Sequence, residues 1–204
     1  MKKTIFAYLA VCLAFVVSCS KESSITEQTN PTQTESFDAL KVGVPKMFLI
    51  KKGAHYSKPD PFSFTNKLSL NFSAVFDSSC IYSTIDAANQ ADINKLYGFS
   101  DCGDQHLTNS ARVGWRWSND SLRIFAFVHF NEQMLWKEIT TAAIGSEINC
   151  GIECIDGSYI FTVNGKTVEM PRACSGKNQR YKLNPYFGGD EAATHDIRIQ
   201  ITEK

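Results

Sequence analysis

The chain has 204 residues, with 21 basic and 21 acidic side chains and 43% hydrophobic residues. A balanced charge leaves no polybasic footprint, which argues against nucleic acid as the main partner. It also argues against electrostatic adhesion to a membrane surface.

In chain order, Lys2 and Lys3 precede an apolar run, Ile5–Val17, and the small residue Ser18 stands before Cys19. A basic start, a short apolar segment and a small residue at its end form an export signal. The run is shorter than the ~20 apolar residues a comfortable membrane span needs. Val16-Val17-Ser18-Cys19 resembles the bacterial lipobox. That resemblance implies cleavage before Cys19 and acylation, palmitate-like chains included, of its sulfur and new amino group. Residues 1–18 are then a lipoprotein signal peptide. The mature chain is expected in the bacterial cell envelope, anchored at the outer membrane on its periplasmic or extracellular face. Several acyl chains hold a protein stably where one is marginal. The cut removes Lys2 and Lys3 and no acid, leaving 19 basic against 21 acidic residues. From Cys19 to Gly43 the sequence is Ser, Thr, Gln, Glu and Asn with little to bury, and reads as a disordered tether. Such a tether spans roughly 25 Å.

Residues 44–204 amount to one domain. Strand periodicity runs almost throughout. Leu68, Leu70, Phe72, Ala74 and Phe76 alternate with polar or small residues. Asp86–Tyr97 is the one stretch that suits a short helix, with Asp86 as its cap. Ser110–Trp117 and Leu122–Phe130 flank the turn Ser118-Asn119-Asp120-Ser121 and read as a hairpin. Tyr159–Val163 and Lys166–Met170 flank Asn164-Gly165, which supplies the two positive-φ residues of a type I′ turn. Ile197, Ile199 and Ile201 mark a closing strand. The expectation is an all-β, two-sheet antiparallel jelly-roll sandwich with at most one short helix.

Three stretches, Asn94–Cys102, His106–Trp117 and Tyr181–Ile197, resemble shared positions of uncharacterised surface lipoproteins from Bacteroidota. The strand layout around the Asn-Gly hairpin is also similar to concanavalin A-like lectin and glucanase sandwiches. The second resemblance implies a fold and leaves function open. Retaining sandwich glucanases carry Glu-x-Asp-x-x-Glu, which this chain lacks. Sandwich alginate lyases carry Gln-Ile-His and Tyr-Phe-Lys-x-Gly-x-Tyr. Tyr186-Phe187 matches only the start of the latter, and Gln-Ile-His is missing.

The domain keeps Cys80, Cys102, Cys150, Cys154 and Cys174. An exported protein can hold disulfides. Cys150 and Cys154 on a strand would lie about 13 Å apart on one face, beyond the ~7 Å a disulfide tolerates. Cys102 and Cys174 lie in turn-like polar segments and are the expected pair, the alternative being five reduced thiols.

The richest cluster is Arg112, Arg116, Phe125, Phe127 and His129, on the face of the first hairpin opposite its aliphatic side. Arginine forks bind carboxylates and hydroxyls, and rings stack on sugars. The alternative is that the two phenylalanines sit in a core and the arginines in structural pairs. Tyr186-Phe187-Gly188-Gly189 adds a tight loop. Asp190, Glu191 and Asp196 in that region are the candidate ligands for calcium, the alternative being carboxylates that cap backbone amides. No other cofactor is implied. Asp101, Asp104 and His106 could offer acid and imidazole at a cleft rim or form a plain polar turn. Trp115 and Trp117 share the face of Val113 and are expected in the core. No nucleophile elbow, phosphate loop or zinc helix is present. Three functions compete: a non-catalytic glycan-binding module, an assembly protein that binds another envelope protein, and a polysaccharide lyase or hydrolase using His106, Asp101 or Tyr186.

Overall fold

The computed structural model describes residues 40–204. The signal peptide, Cys19 and most of the expected tether lie outside the described residues. Thirteen strands make up the fold: β1 (Lys46–Ile50), β2 (Ser57–Lys58), β3 (Phe64–Thr65), β4 (Ser69–Phe76), β5 (Asn94–Ser100), β6 (Ser110–Ser118), β7 (Ser121–Phe130), β8 (Gln133–Ala142), β9 (Glu147–Ile155), β10 (Ser158–Val163), β11 (Lys166–Pro171), β12 (Arg180–Leu183) and β13 (Ile197–Glu203). One sheet runs β11-β10-β9-β4-β13-β1-β2 and the other β3-β12-β5-β6-β7-β8. All pairings between strands are antiparallel. This is the expected two-sheet sandwich.

Period-2 alternation builds the core. Phe72, Ala74 and Phe76 face inward from β4, beside Ile197, Ile199 and Ile201 of β13. Opposite them lie Val113 and Trp115 of β6 and Leu122, Ile124, Ala126 and Val128 of β7. Trp115 is fully buried and Trp117 packs partly buried against the same core. Asn119-Asp120 and Asn164-Gly165 both have positive φ, so both expected turns form.

The structure corrects two boundaries. Asp86 does cap a turn, its carboxylate accepting from the Ala88 amide, but only a 3-10 segment, Ala87–Ala91, follows. Asn94 onward is strand β5, because Leu96, Tyr97 and Phe99 bury between the sheets and the backbone pairs with β6. A bulge between Lys95 and Tyr97 lets Leu96 and Tyr97 both turn inward. The tether does not extend to Gly43: Leu40 joins the core, and the Gly43 amide donates to Glu203 at 2.7 Å.

Cys102 and Cys174 form the disulfide. Cys80, Cys150 and Cys154 are buried thiols. Next to the disulfide, Asp101 is fully buried between Arg172 Nε (2.7 Å) and Arg180 Nε (2.6 Å), and accepts from Tyr159 (2.8 Å). Asp101 is therefore a structural anion that ties β5 to the β11–β12 segment. It does not reach a cleft rim.

Candidate functional site

The outer face of the six-stranded sheet holds the site. Antiparallel register puts Ser110 opposite His129, Arg112 opposite Phe127 and Gly114 opposite Phe125, so these residues share one face. Across the other edge of β7, His129 faces Met134 and Phe127 faces Trp136 on β8. On β5, Gly98 lies opposite Arg112. A Cβ there would stand 2.0 Å from the Ala111 carbonyl oxygen and 2.8 Å from Arg112 Cγ. Glycine is what lets the Arg112 chain lie flat on the sheet.

The segment Asn184–Gly189 forms the wall. The Lys95 amide donates to Tyr186 O at 2.8 Å and the Tyr186 amide to Lys95 O at 2.9 Å. The Gly188 amide donates to the Asn94 side chain at 2.7 Å, and a Cβ on Gly188 would meet Ile93 O at 2.2 Å. Tyr186 stacks with His55 and meets Tyr56 edge-on. Phe62 stacks on Tyr181, whose hydroxyl accepts from the His106 amide and lies 3.0 Å from His106 Nδ1. Between wall and sheet is a cavity of about 440 Å³, with Arg112, Lys95, His106, His129, Tyr181 and Tyr186 among its lining.

Its electrostatics are one-sided. Arg112 is only 6% exposed. Among the described residues its side chain has no carboxylate partner and no hydrogen bond, and its Nε is buried without an acceptor. Its guanidinium lies 5.8 Å from the Phe127 ring centroid, with Lys95 Nζ over the same ring at 4.6 Å. Burial lowers the Arg112 pKa to about 10. Burial, then Arg112, push the Lys95 ammonium down to about 8, against a smaller pull from Asp92. Burial and then Arg112 and Lys95 hold His129 neutral, its pKa lowered to about 4, while its Nδ1 lies 3.2 Å from Ser110 Oγ. His106 is lowered by burial and then Arg112. The Tyr186 hydroxyl is raised by burial and then Tyr56, so it keeps its proton. The lining carboxylate Asp60 accepts from Asn184 at 2.8 Å. An unpaired buried cation costs several kcal/mol, which a bound carboxylate would offset.

Of the residues the sequence singled out, Arg112, His129, His106 and Tyr186 meet here. Phe125 and Phe127 are each 2% exposed and cluster with Ile93 beneath the cations, so their rings are floor and cannot stack on a ligand. Arg116 lies 4.9 Å from the Phe125 centroid and donates to Ala91 O. It stands outside the cavity lining. The three calcium candidates do not converge. Glu191 accepts from the Ile85 (2.6 Å) and Asp86 (3.1 Å) amides, and Asp196 accepts from the Lys52 amide at 2.9 Å and pairs with Lys51. Among the described residues the one three-ligand cluster is Asp101 with the two disulfide sulfurs, where the anion is already held by two arginines. Sequence reasoning missed Lys95, Tyr181, Tyr56, Phe62 and Met134. Lys95 and Tyr181 sit inside the stretches Asn94–Cys102 and Tyr181–Ile197.

No family model and no curated protein sequence matches the chain. Among solved structures, alginate lyase AlyC3 is similar over 78% of this chain and 73% of its own, at 11% identity and a TM-score of 0.57. The same lyase in complex with dimannuronate is similar over 78% and 72%, at 11% identity and a TM-score of 0.51. A glycosidic hydrolase covers 80% and 78% at 12% identity, with a TM-score of 0.48. The likeness to the lyase structures establishes the fold, a concanavalin A-like jelly-roll sandwich.

Proposed function

We propose that this protein binds glycans carrying carboxylates, in the cavity between the β5–β7 face and the Asn184–Gly189 wall. The observation that carries the reading is Arg112: a nearly buried guanidinium with no anion, beside a second cation, Lys95. Flanking hydroxyls and imidazoles on Tyr181, Tyr186, His106 and His129 suit sugar hydroxyls. The outer-envelope address rests on the lipobox-like segment ending at Cys19. An acyl anchor there with a tether would present the groove to polysaccharide near the cell. Calorimetry of the full chain with a uronic-acid oligomer and with a neutral glucan of equal length tests the reading. Uronate-selective binding that weakens with salt supports it. Equal affinity for the two oligomers, or none for either, rejects it.

A second reading, β-elimination of the bound uronate, draws on the chemistry around Arg112. A cation on the carboxylate acidifies the neighbouring C–H. His129, neutral at pH 7, can take a proton, and protonated Tyr186 can give one. The chain lacks Gln-Ile-His, and Tyr186-Phe187 matches only the start of the longer lyase pattern, which is why binding is the primary reading. Unsaturated uronate, read by ultraviolet absorbance in the same samples, would establish lyase activity.

A further inference from the structure

The groove continues past its cationic centre. Gly98, Arg112, Phe127 and Trp136 form one cross-strand row from β5 to β8. Strands lie about 4.8 Å apart, so the Trp136 backbone stands about 10 Å from that of Arg112. Met134, opposite His129, already lines the cavity, and Trp136 is the next residue on its face. Leu135 and Ile139 on the other face of β8 pack on the core. Trp136 is 54% exposed and Met134 57%. Among the described residues Trp136 has no ring, cation or side-chain hydrogen-bond partner. At the opposite end, Phe62 is 56% exposed beside Tyr181. A charged, desolvated centre flanked on both sides by open apolar surface suits a chain that passes through, with charge at one unit and ring faces on its neighbours.

We propose that Trp136, with Met134, forms a second saccharide subsite, so that the groove takes an internal stretch of a uronate-bearing glycan rather than a single terminal sugar. This rests on the anionic-glycan reading of the Arg112 centre. An indole offers a wide, rigid apolar face at low entropic cost.

The test uses the full chain with oligomannuronates of two and six units, and the variants Trp136→Ala, Trp136→Phe and Arg112→Met. Native protein is expected to bind the hexamer more tightly than the dimer. Trp136→Ala should weaken the hexamer about tenfold, or about 1.4 kcal/mol, and leave the dimer unchanged. Trp136→Phe should keep most of the hexamer affinity and lose the fluorescence change that the hexamer causes. Should the groove also cleave, the same comparison is read in KM. Equal hexamer affinity in Trp136→Ala and native protein overturns the subsite, while dimer binding that still depends on Arg112 leaves the primary reading standing. Failure of native protein to bind either oligomer overturns both. Dimer affinity untouched by Arg112→Met overturns the placement of the charged centre.

Discussion

Replacing Arg112 with methionine should make the protein more stable and worse at binding, two effects of opposite sign from one substitution. Burial lowers the Arg112 pKa from 12.5 to about 10. The side chain is a cation in both folded and unfolded chains at pH 7. The penalty is therefore fully present below pH 10 and fades only as pH rises toward 12.5. At 1.36 kcal/mol per pH unit it is about 3 kcal/mol against the folded state. The contact with the Phe127 ring returns about 1 kcal/mol. Methionine, unbranched and apolar, covers the same ring without charge. The expected net gain is ~1–2 kcal/mol, a melting temperature higher by about 2–8 °C for a domain of this size. Loss of a charge-assisted fork on a carboxylate should cost ~1.5–3 kcal/mol of binding, about 10–100-fold. Scanning calorimetry and titration with a uronic-acid oligomer measure the two arms. A melting temperature lowered by a similar amount would mean that Arg112 is a structural cation with a partner. That result would refute the argument from its unpaired burial.

Anion binding should weaken as pH rises from 7 to 9, because Lys95, its pKa lowered to about 8 by burial and then by Arg112 against a smaller pull from Asp92, loses its proton in that range; Lys95→Met should flatten that dependence, read as affinity against pH. Asp101→Asn leaves two buried arginines without an anion and should cost about 3–5 kcal/mol in denaturant unfolding. The Asp101 carboxyl is held below its usual 3.8 by hydrogen bonds from Arg172 and Arg180, which outweigh its burial. Its contribution is thus complete above that value and is lost as pH falls through the lower folded value, so native protein should lose stability only below about pH 4. Reducing Cys102–Cys174 releases a 72-residue loop and should cost about 4 kcal/mol by the loop-entropy relation, seen as a lower denaturation midpoint under reductant.

The fold was legible because strands announce themselves locally. The alternation in β4, β6, β7, β10 and β13 and the Asn-Asp and Asn-Gly turns are short-range signals, and each reappears as a strand or a hairpin. The misreading at Asp86–Tyr97 has the same root. Capping chemistry at Asp86 is local and real. What ends the turn and extends Asn94 onward is pairing with β6, a partner first met sixteen residues later at Ser110. The disulfide was legible because Cys102 and Cys174 both lie in turn-like polar segments. The Asp101–Arg172–Arg180 cluster beside it was not, since nothing in a single Asp or Arg says that its partner is 71 or 79 residues away.

The site was half legible for a related reason. Hairpin register alone aligned Arg112, Phe125, Phe127 and His129 on one face. It could not say whether that face was open. The decision came from Lys95 on β5 and the Asn184–Gly189 wall, which cover Phe127 and leave Arg112 beside a cavity. The structure separates the aromatic side chains of this face by what lies above them. Phe125 and Phe127 fall under cations and become floor, while Trp136, on the edge strand with nothing above it, stays in solvent. The same sheet thus spends its inner rings on placing charge and its outer ring on surface. Such a division fits the proposed ligand, a glycan ionised at one unit and apolar on the ring faces of its neighbours.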